Sequence, residues 1–94
     1  MAIIKWLKDG RKYIPTGQYN AIAKFTGHED LWSMVLDLNV GDEPFKDSEG
    51  AILQLATVRF LVPDAPHQWM KNGAVFKLCE GDKDVALGVM LYGE

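Results

Sequence analysis

The chain has 94 residues, 48% of them hydrophobic, enough for one compact domain and too few for two domains with cores of their own. Thirteen acidic side chains against ten basic ones leave a net charge of −3, which argues against a polyanionic partner because phosphate binding rests on clustered Lys and Arg. The single cysteine, Cys79, excludes an intramolecular disulfide, and the apolar opening Met1-Ala-Ile-Ile-Lys is too short for a signal peptide or a membrane span. The expectation is a cytoplasmic protein whose residues 1–94 fold as one domain.

Ala2 to Lys8 reads as a short strand stopped by the turn signal Asp9-Gly10. From Gln18 the chain alternates: Tyr19, Ala21, Ala23 and Phe25 point one way, Gln18, Asn20 and Lys24 the other, with Ile22 breaking the pattern. One face of that strand is core and the other is wet. The next segment fits two templates. Leu31, Met34, Val35 and Leu38 make a helical stripe, with Thr26 and Glu29 as a capping box; Trp32, Met34, Leu36 and Leu38 also alternate as a strand. Residue spacing leaves both open.

Gly41 to Gly50 is a polar loop, and Ile52 to Val62 then runs apolar with few breaks, as a long central strand would. Pro63-Asp64-Ala65-Pro66 ends it, because proline lacks the ladder donor and biases its predecessor away from the helical region. A surface connection leads to Asn72-Gly73, and a β-hairpin closes the chain. In that hairpin Ala74, Phe76 and Leu78 share one face while Val75, Lys77 and Cys79 share the other; Gly81 supplies the positive φ of the turn, and DVALGVMLY is apolar on both faces, which predicts a return strand sandwiched inside the protein. Gly88, inside that strand, marks a bulge or the close approach of backbone or a bulky ring. Asp82, Lys83 and Asp84 are placed at the surface, with Glu80 facing a nearby base. About six strands with turns at these intervals suit an all-β barrel or sandwich with at most a turn or two of helix. The expected core includes Phe25, Trp32, Met34, Leu36, Leu55, Phe76, Leu78, Val85 and Val89.

Two stretches carry a family resemblance. Phe76, Glu80, Gly81, Val85, Gly88 and Val89 stand at the places of the pattern F-x-x-x-E-G-x-x-x-V-x-x-G-V, and the hairpin therefore resembles the end of the C-terminal β-barrel, domain 3, of elongation factor Tu and its relatives. Near the start, Gly10-Arg11-Lys12-Tyr13-Ile14-Pro15 with Thr16-Gly17 and Tyr19 resembles that family's G-R-x-x-P-x-x-x-G-Y stretch, with small shifts. The resemblance covers nearly the whole chain and implies a small antiparallel barrel of about six strands, with the ambiguous segment a strand. It also implies that the G-R loop and the E-G turn lie on the side that faces transfer RNA, so Arg11, Lys12, Glu80 and Gly81 become candidate contacts for tRNA-like RNA or another partner. The chain departs from the family after the tyrosine, where Asn20-Ala21-Ile22 replaces Arg-Pro-Gln, and between Pro63 and Asn72. It carries no G-x-x-x-x-G-K-[ST] loop, so no nucleotide is expected.

Chemistry-bearing residues read mostly as structural. His28-Glu29-Asp30 invites a metal or general-base reading, but neighbours on an extended chain point apart and a solvated turn after Gly27 explains them. Cys79 reads as a small packed hydrophobe, and Ser33 and Ser48 lack a G-x-S-x-G setting. No catalytic residue, metal or cofactor is expected. Of the three tryptophans, Trp6 and Trp32 fit core patterns, and Trp69 with Met70 in the HQWMKNG loop is the aromatic candidate for a protein contact, beside the alternative that Trp69 folds back to cap one barrel end. The expected function is a stand-alone, non-catalytic barrel that binds an unknown protein, in one form as a small interaction or immunity-type protein that mimics the factor. RNA binding is the alternative, disfavoured by the acidic charge; no membrane or nucleotide partner is expected.

Overall fold

A computed structural model of the protein describes residues 1–11, 13–38 and 44–91. Its strands are β1 (Ala2–Trp6), β2 (Gln18–Phe25), β3 (Leu31–Asp37), β4 (Phe45–Lys46), β5 (Ile52–Phe60), β6 (Val75–Glu80) and β7 (Lys83–Met90), with a 3-10 turn at His67–Trp69. Every pairing is antiparallel, in the order β1-β7-β6-β2-β3-β5, and β5 returns to pair with β1. The protein is therefore an all-β, closed six-stranded barrel, and β4 is an extra strand laid on β5. Among the described residues no helix is long and apolar enough to cross a membrane.

Strand periodicity sets the interior. Tyr19, Ala21, Ala23 and Phe25 are buried as their alternation requires, and Ala2, Ile4 and Trp6 of β1 face the same interior. A barrel of six strands has room for large side chains only where small ones face them. Ala23 lies opposite Leu78, and Ala86 lies between Leu78 and Trp6 in the ladders. The small positions make space for a cluster in which Phe25 sits 5.2 Å from Phe76 and 5.7 Å from Phe60, centroid to centroid. The one buried polar side chain of the described core, Gln54, accepts a hydrogen bond from Trp6 Nε1 at 3.1 Å and donates one to the carbonyl of Leu38 at 3.3 Å. Its burial is thereby compensated.

The segment that fitted both templates is the strand β3, held by β2 on one side and β5 on the other. The long apolar run is β5, and it pairs along both edges as a central strand does. At the hairpin, Gly81 has φ +61°, and the inner face of β7 at Gly88 lies against the ring of its cross-strand partner Phe76, whose Cζ and Cε2 occupy the space a Cβ would need. The ladder slips by one residue at Leu78/Cys79, leaving Val85 as the extra, buried residue of a bulge.

Several expectations change. The polar loop from Gly41 to Gly50 contains β4, where Asp47 Oδ1 accepts from the backbone N–H of Glu49 and Ala51, both at 2.9 Å, and turns the chain so that Phe45 pairs with Leu53. A two-residue strand is too short to show a period. The first part of that loop lies outside the described residues. The return strand β7 is not sandwiched: Leu87 and Val89 are 36% and 39% exposed, so Val89 leaves the core list, and Trp32 and Leu55 are only half buried. An apolar outer row looks the same in the sequence whether or not anything covers it. Cys79 belongs with Val75 and Lys77 on the outer face rather than with the packed core.

The contact between Phe76 and Gly88 makes two predictions for urea or thermal melts. Phe76→Ala costs about 3–5 kcal/mol through the cavity left in the aromatic cluster. Gly88→Ala is strongly destabilising in the native background and much less so beside Phe76→Ala, because the obstructing ring is gone; additive effects would show that the ring and glycine are not coupled.

Candidate functional site

Gly10 and the β7 bulge place the first candidate cluster. A Cβ on Gly10 would stand 2.6 Å from Val85 Cα, so only glycine lets the turn after β1 sit directly on the bulge, where Leu7 N–H also donates to the Val85 carbonyl at 3.0 Å. That approach brings Arg11 to the base of the final hairpin. The Arg11 guanidinium donates to the Glu80 carboxylate, its Nε–H donates to the Tyr13 carbonyl at 3.0 Å, and its Cζ lies 5.2 Å from the centroid of the Tyr19 ring. The Tyr19 hydroxyl donates to the same carboxylate. Three segments separated by 61 and 69 positions are thus tied at one oxygen of Glu80.

The electrostatics follow from the ties. The Tyr19 hydroxyl and the Arg11 guanidinium hold the Glu80 carboxyl below its ordinary value. Burial, then the neighbouring carboxylate, pushes the Tyr19 phenol up to about 12. Arg11 is held protonated more firmly by Glu80. The structure therefore brings Arg11 and Glu80 together beside Gly81, as the sequence motifs led one to expect for Glu80 and a base, but it spends their charges on each other. Tyr19 is the member that sequence reasoning missed, since its alternation marked it only as core. Lys12 lies outside the described residues.

The opposite end is closed by aromatic stacking. Trp69 is half buried, 6.0 Å from Phe25, and the His28 ring stacks on it at 3.7 Å between centroids and 18° between planes. This is the capping arrangement for Trp69. Met70 is 6% exposed and joins the core, so its side chain is withdrawn from any protein contact. Glu29 and Asp30 are exposed, and among the described residues no three His, Cys, Asp or Glu side chains are grouped to hold a metal. An open depression of about 360 Å³ beside this end is lined by Lys24, Phe25, Thr26, His28, Glu29 and Lys77. Burial and the adjacent Asp84 carboxylate, 3.2 Å from its sulfur, push the Cys79 thiol up and keep it protonated.

The third feature is the outer surface of the barrel. The ladders align Val75, Val89, Ile3 and Leu55 in one outward row across β6, β7, β1 and β5. The next row contains Lys24, Lys77, Leu87, Lys5, Leu53 and Phe45 across β2, β6, β7, β1, β5 and β4. Val75, Val89, Leu87 and Phe45 are 36–51% exposed, and Ile3, Leu53 and Leu55 are half buried. Lys77 pairs with Asp84 at 3.3 Å. The outer surface thus carries one wholly apolar row and, beside it, a row in which Leu87, Leu53 and Phe45 are interleaved with Lys77 and Lys5. Its signal in the sequence is the doubly apolar β7, a pattern that predicts burial on both faces.

Melts across pH test the tie at Glu80. The depressed Glu80 value contributes stability that is present above its ordinary range and lost as pH falls through the lower folded value, so Glu80→Gln lowers stability at neutral pH and flattens the acid limb. The raised Tyr19 value contributes stability that is intact below pH 10 and is lost as pH rises from there towards about 12; Tyr19→Phe removes that alkaline component. Identical pH profiles for the variants and the parent would show that the three groups are not coupled.

No family model matches the chain, and neither does any curated protein or solved structure.

Proposed function

We propose that this chain is a non-catalytic barrel that binds another protein through the outer face of β6, β7, β1, β5 and β4. The carrying observation is the row Val75, Val89, Ile3 and Leu55 with Leu87, Leu53 and Phe45 beside it, a contiguous apolar surface on a chain of net charge −3. Side chains with reactive potential have structural occupations: Glu80 is bound by Arg11 and Tyr19, His28 is stacked on Trp69, and the Cys79 thiol is held protonated. The likeness of the Gly10-Arg11 and Glu80-Gly81 motifs to domain 3 of elongation factor Tu is compatible with a barrel used for interaction, including an immunity-type role. The closed barrel supports that reading at the level of fold alone.

The competing reading, contact with tRNA-like RNA through Arg11, Lys12 and the Glu80-Gly81 turn, is weakened by geometry. A phosphate at Arg11 would compete with a carboxylate already bound to the guanidinium, and Glu80 itself would repel it.

The readings separate in a capture experiment from the source cell's lysate. Val89→Lys places a charge in the apolar row and is expected to leave melting within about 0.5 kcal/mol of the parent, as surface changes do. A protein retained by the parent and by Arg11→Ala but lost by Val89→Lys is the expected result. Retention that survives Val89→Lys and is abolished by ribonuclease or Arg11→Ala would replace this proposal with the RNA reading.

A further inference from the structure

We propose that Asn72 is a latent modification site, protected from deamidation while the turn before β6 is bonded to the end of β7 and converted to a carboxylate when that corner opens. The inference is independent of the protein-binding reading. Of the three asparagines, only Asn72 precedes a glycine, and both Asn72 and Gly73 are exposed to water. Glycine has no Cβ to obstruct attack by its own backbone nitrogen on the preceding side chain. In that reaction the Gly73 nitrogen bonds to Asn72 Cγ, the Cγ–Nδ2 bond breaks, and the amide nitrogen leaves as ammonia with the proton that Gly73 gives up. Water then opens the five-membered succinimide to an aspartyl or an isoaspartyl residue.

Two features of the corner oppose the first step. The Gly73 N–H donates to the Met90 carbonyl at 2.7 Å, and the Met90 N–H donates back to the Ala74 carbonyl at 2.8 Å, so the attacking nitrogen is engaged in the last rung between the turn and β7. The turn also has the wrong shape for ring closure. The Ala74 N–H donates to the Lys71 carbonyl at 2.9 Å, Gly73 has φ +86°, and Asn72 has negative φ, which together define a type II turn. The first central residue of such a turn has ψ of about +120°, which swings the following nitrogen away from that residue's Cβ, whereas ring closure needs the two nearly eclipsed. The corner is anchored on both sides, because Met90 is buried in the core and the Lys71 N–H donates to the Trp69 carbonyl at 3.0 Å. A side chain that water reaches freely is thus governed by the opening of a rung tied to the core. The isoaspartyl product carries one more main-chain carbon between positions 72 and 73, so an opening that is caught leaves a permanent change at the capped end of the barrel.

The test incubates the full chain at mildly alkaline pH, folded in buffer and unfolded in guanidinium chloride, and follows Asn72 by peptide mapping with detection of isoaspartate. The folded chain is expected to convert at least about tenfold more slowly than the unfolded one. Deuterium exchange gives an independent readout: the Gly73 amide should be protected in the folded chain, and guanidinium below the unfolding transition should raise its exchange and the conversion of Asn72 together. Equal conversion in the folded and unfolded chains would overturn the inference. So would a Gly73 amide that exchanges as freely in the folded chain as in the unfolded one, or exchange that accelerates in guanidinium while conversion stays constant.

Discussion

The ring of Phe76 resting on the bare backbone of Gly88 governs the rest of the interior. The two residues face each other across the β6–β7 ladder, and the ring fills the volume in which any side chain at position 88 would have to lie. Phe76 is fully buried and touches Phe25, which in turn contacts Phe60 and Trp69. A barrel of six strands cannot hold four such rings unless some inward positions carry almost nothing, because the interior is close-packed and unyielding. Gly88 and the alanines at 21, 23, 56 and 86 are those positions. The aromatic cluster and the small residues opposite it are one packing solution, and neither half is meaningful alone.

A second close approach stitches the other end. Gly10 against Val85 lets the turn after β1 settle on the β7 bulge, and the tie of Arg11, Tyr19 and Glu80 forms on top of that contact. The bulge matters twice, since it buries Val85 and changes the register so that Glu80 and Lys83 face each other at the hairpin end. The ion pair is only partly covered by protein, with 31% and 39% of the two side chains exposed. Its contribution as an isolated pair is therefore modest. Its geometric role is larger, because it fixes the G-R loop against the final hairpin and removes Arg11 from service as a free cation.

With the interior filled, apolar side chains beyond its capacity have only the outside to occupy. Strand β7 shows the result: Ala86, Gly88 and Met90 line the core while Leu87 and Val89 stand on the wet face. Neighbouring strands contribute Ile3, Leu53, Leu55 and Val75 at the same level, and β4 adds Phe45 through the turn organised by Asp47. The apolar outer surface that emerges is a property of the assembled sheet, since no single strand supplies more than two of these side chains.

Much of the strand content was legible in the residues. The alternation of Tyr19, Ala21, Ala23 and Phe25 determined which side of β2 is buried, the Glu80-Gly81 turn determined where the chain reverses, and Gly88 marked either a bulge or the close approach of backbone or a ring, of which the Phe76 ring is what lies there. These are local matters, set by a period of two and by which residues tolerate a given φ. The spacing of Leu31 to Leu38 served a helix as well as a strand, and pairing with both β2 and β5 decided for the strand. Tertiary structure alone determined that Tyr19 reaches Glu80 from 61 positions away, that Met70 is buried, and that the outer side of β7 is left open. The physical reason is common to all three. A sequence pattern specifies that a side chain prefers to leave water, whereas the closure of the barrel determines how many of them can.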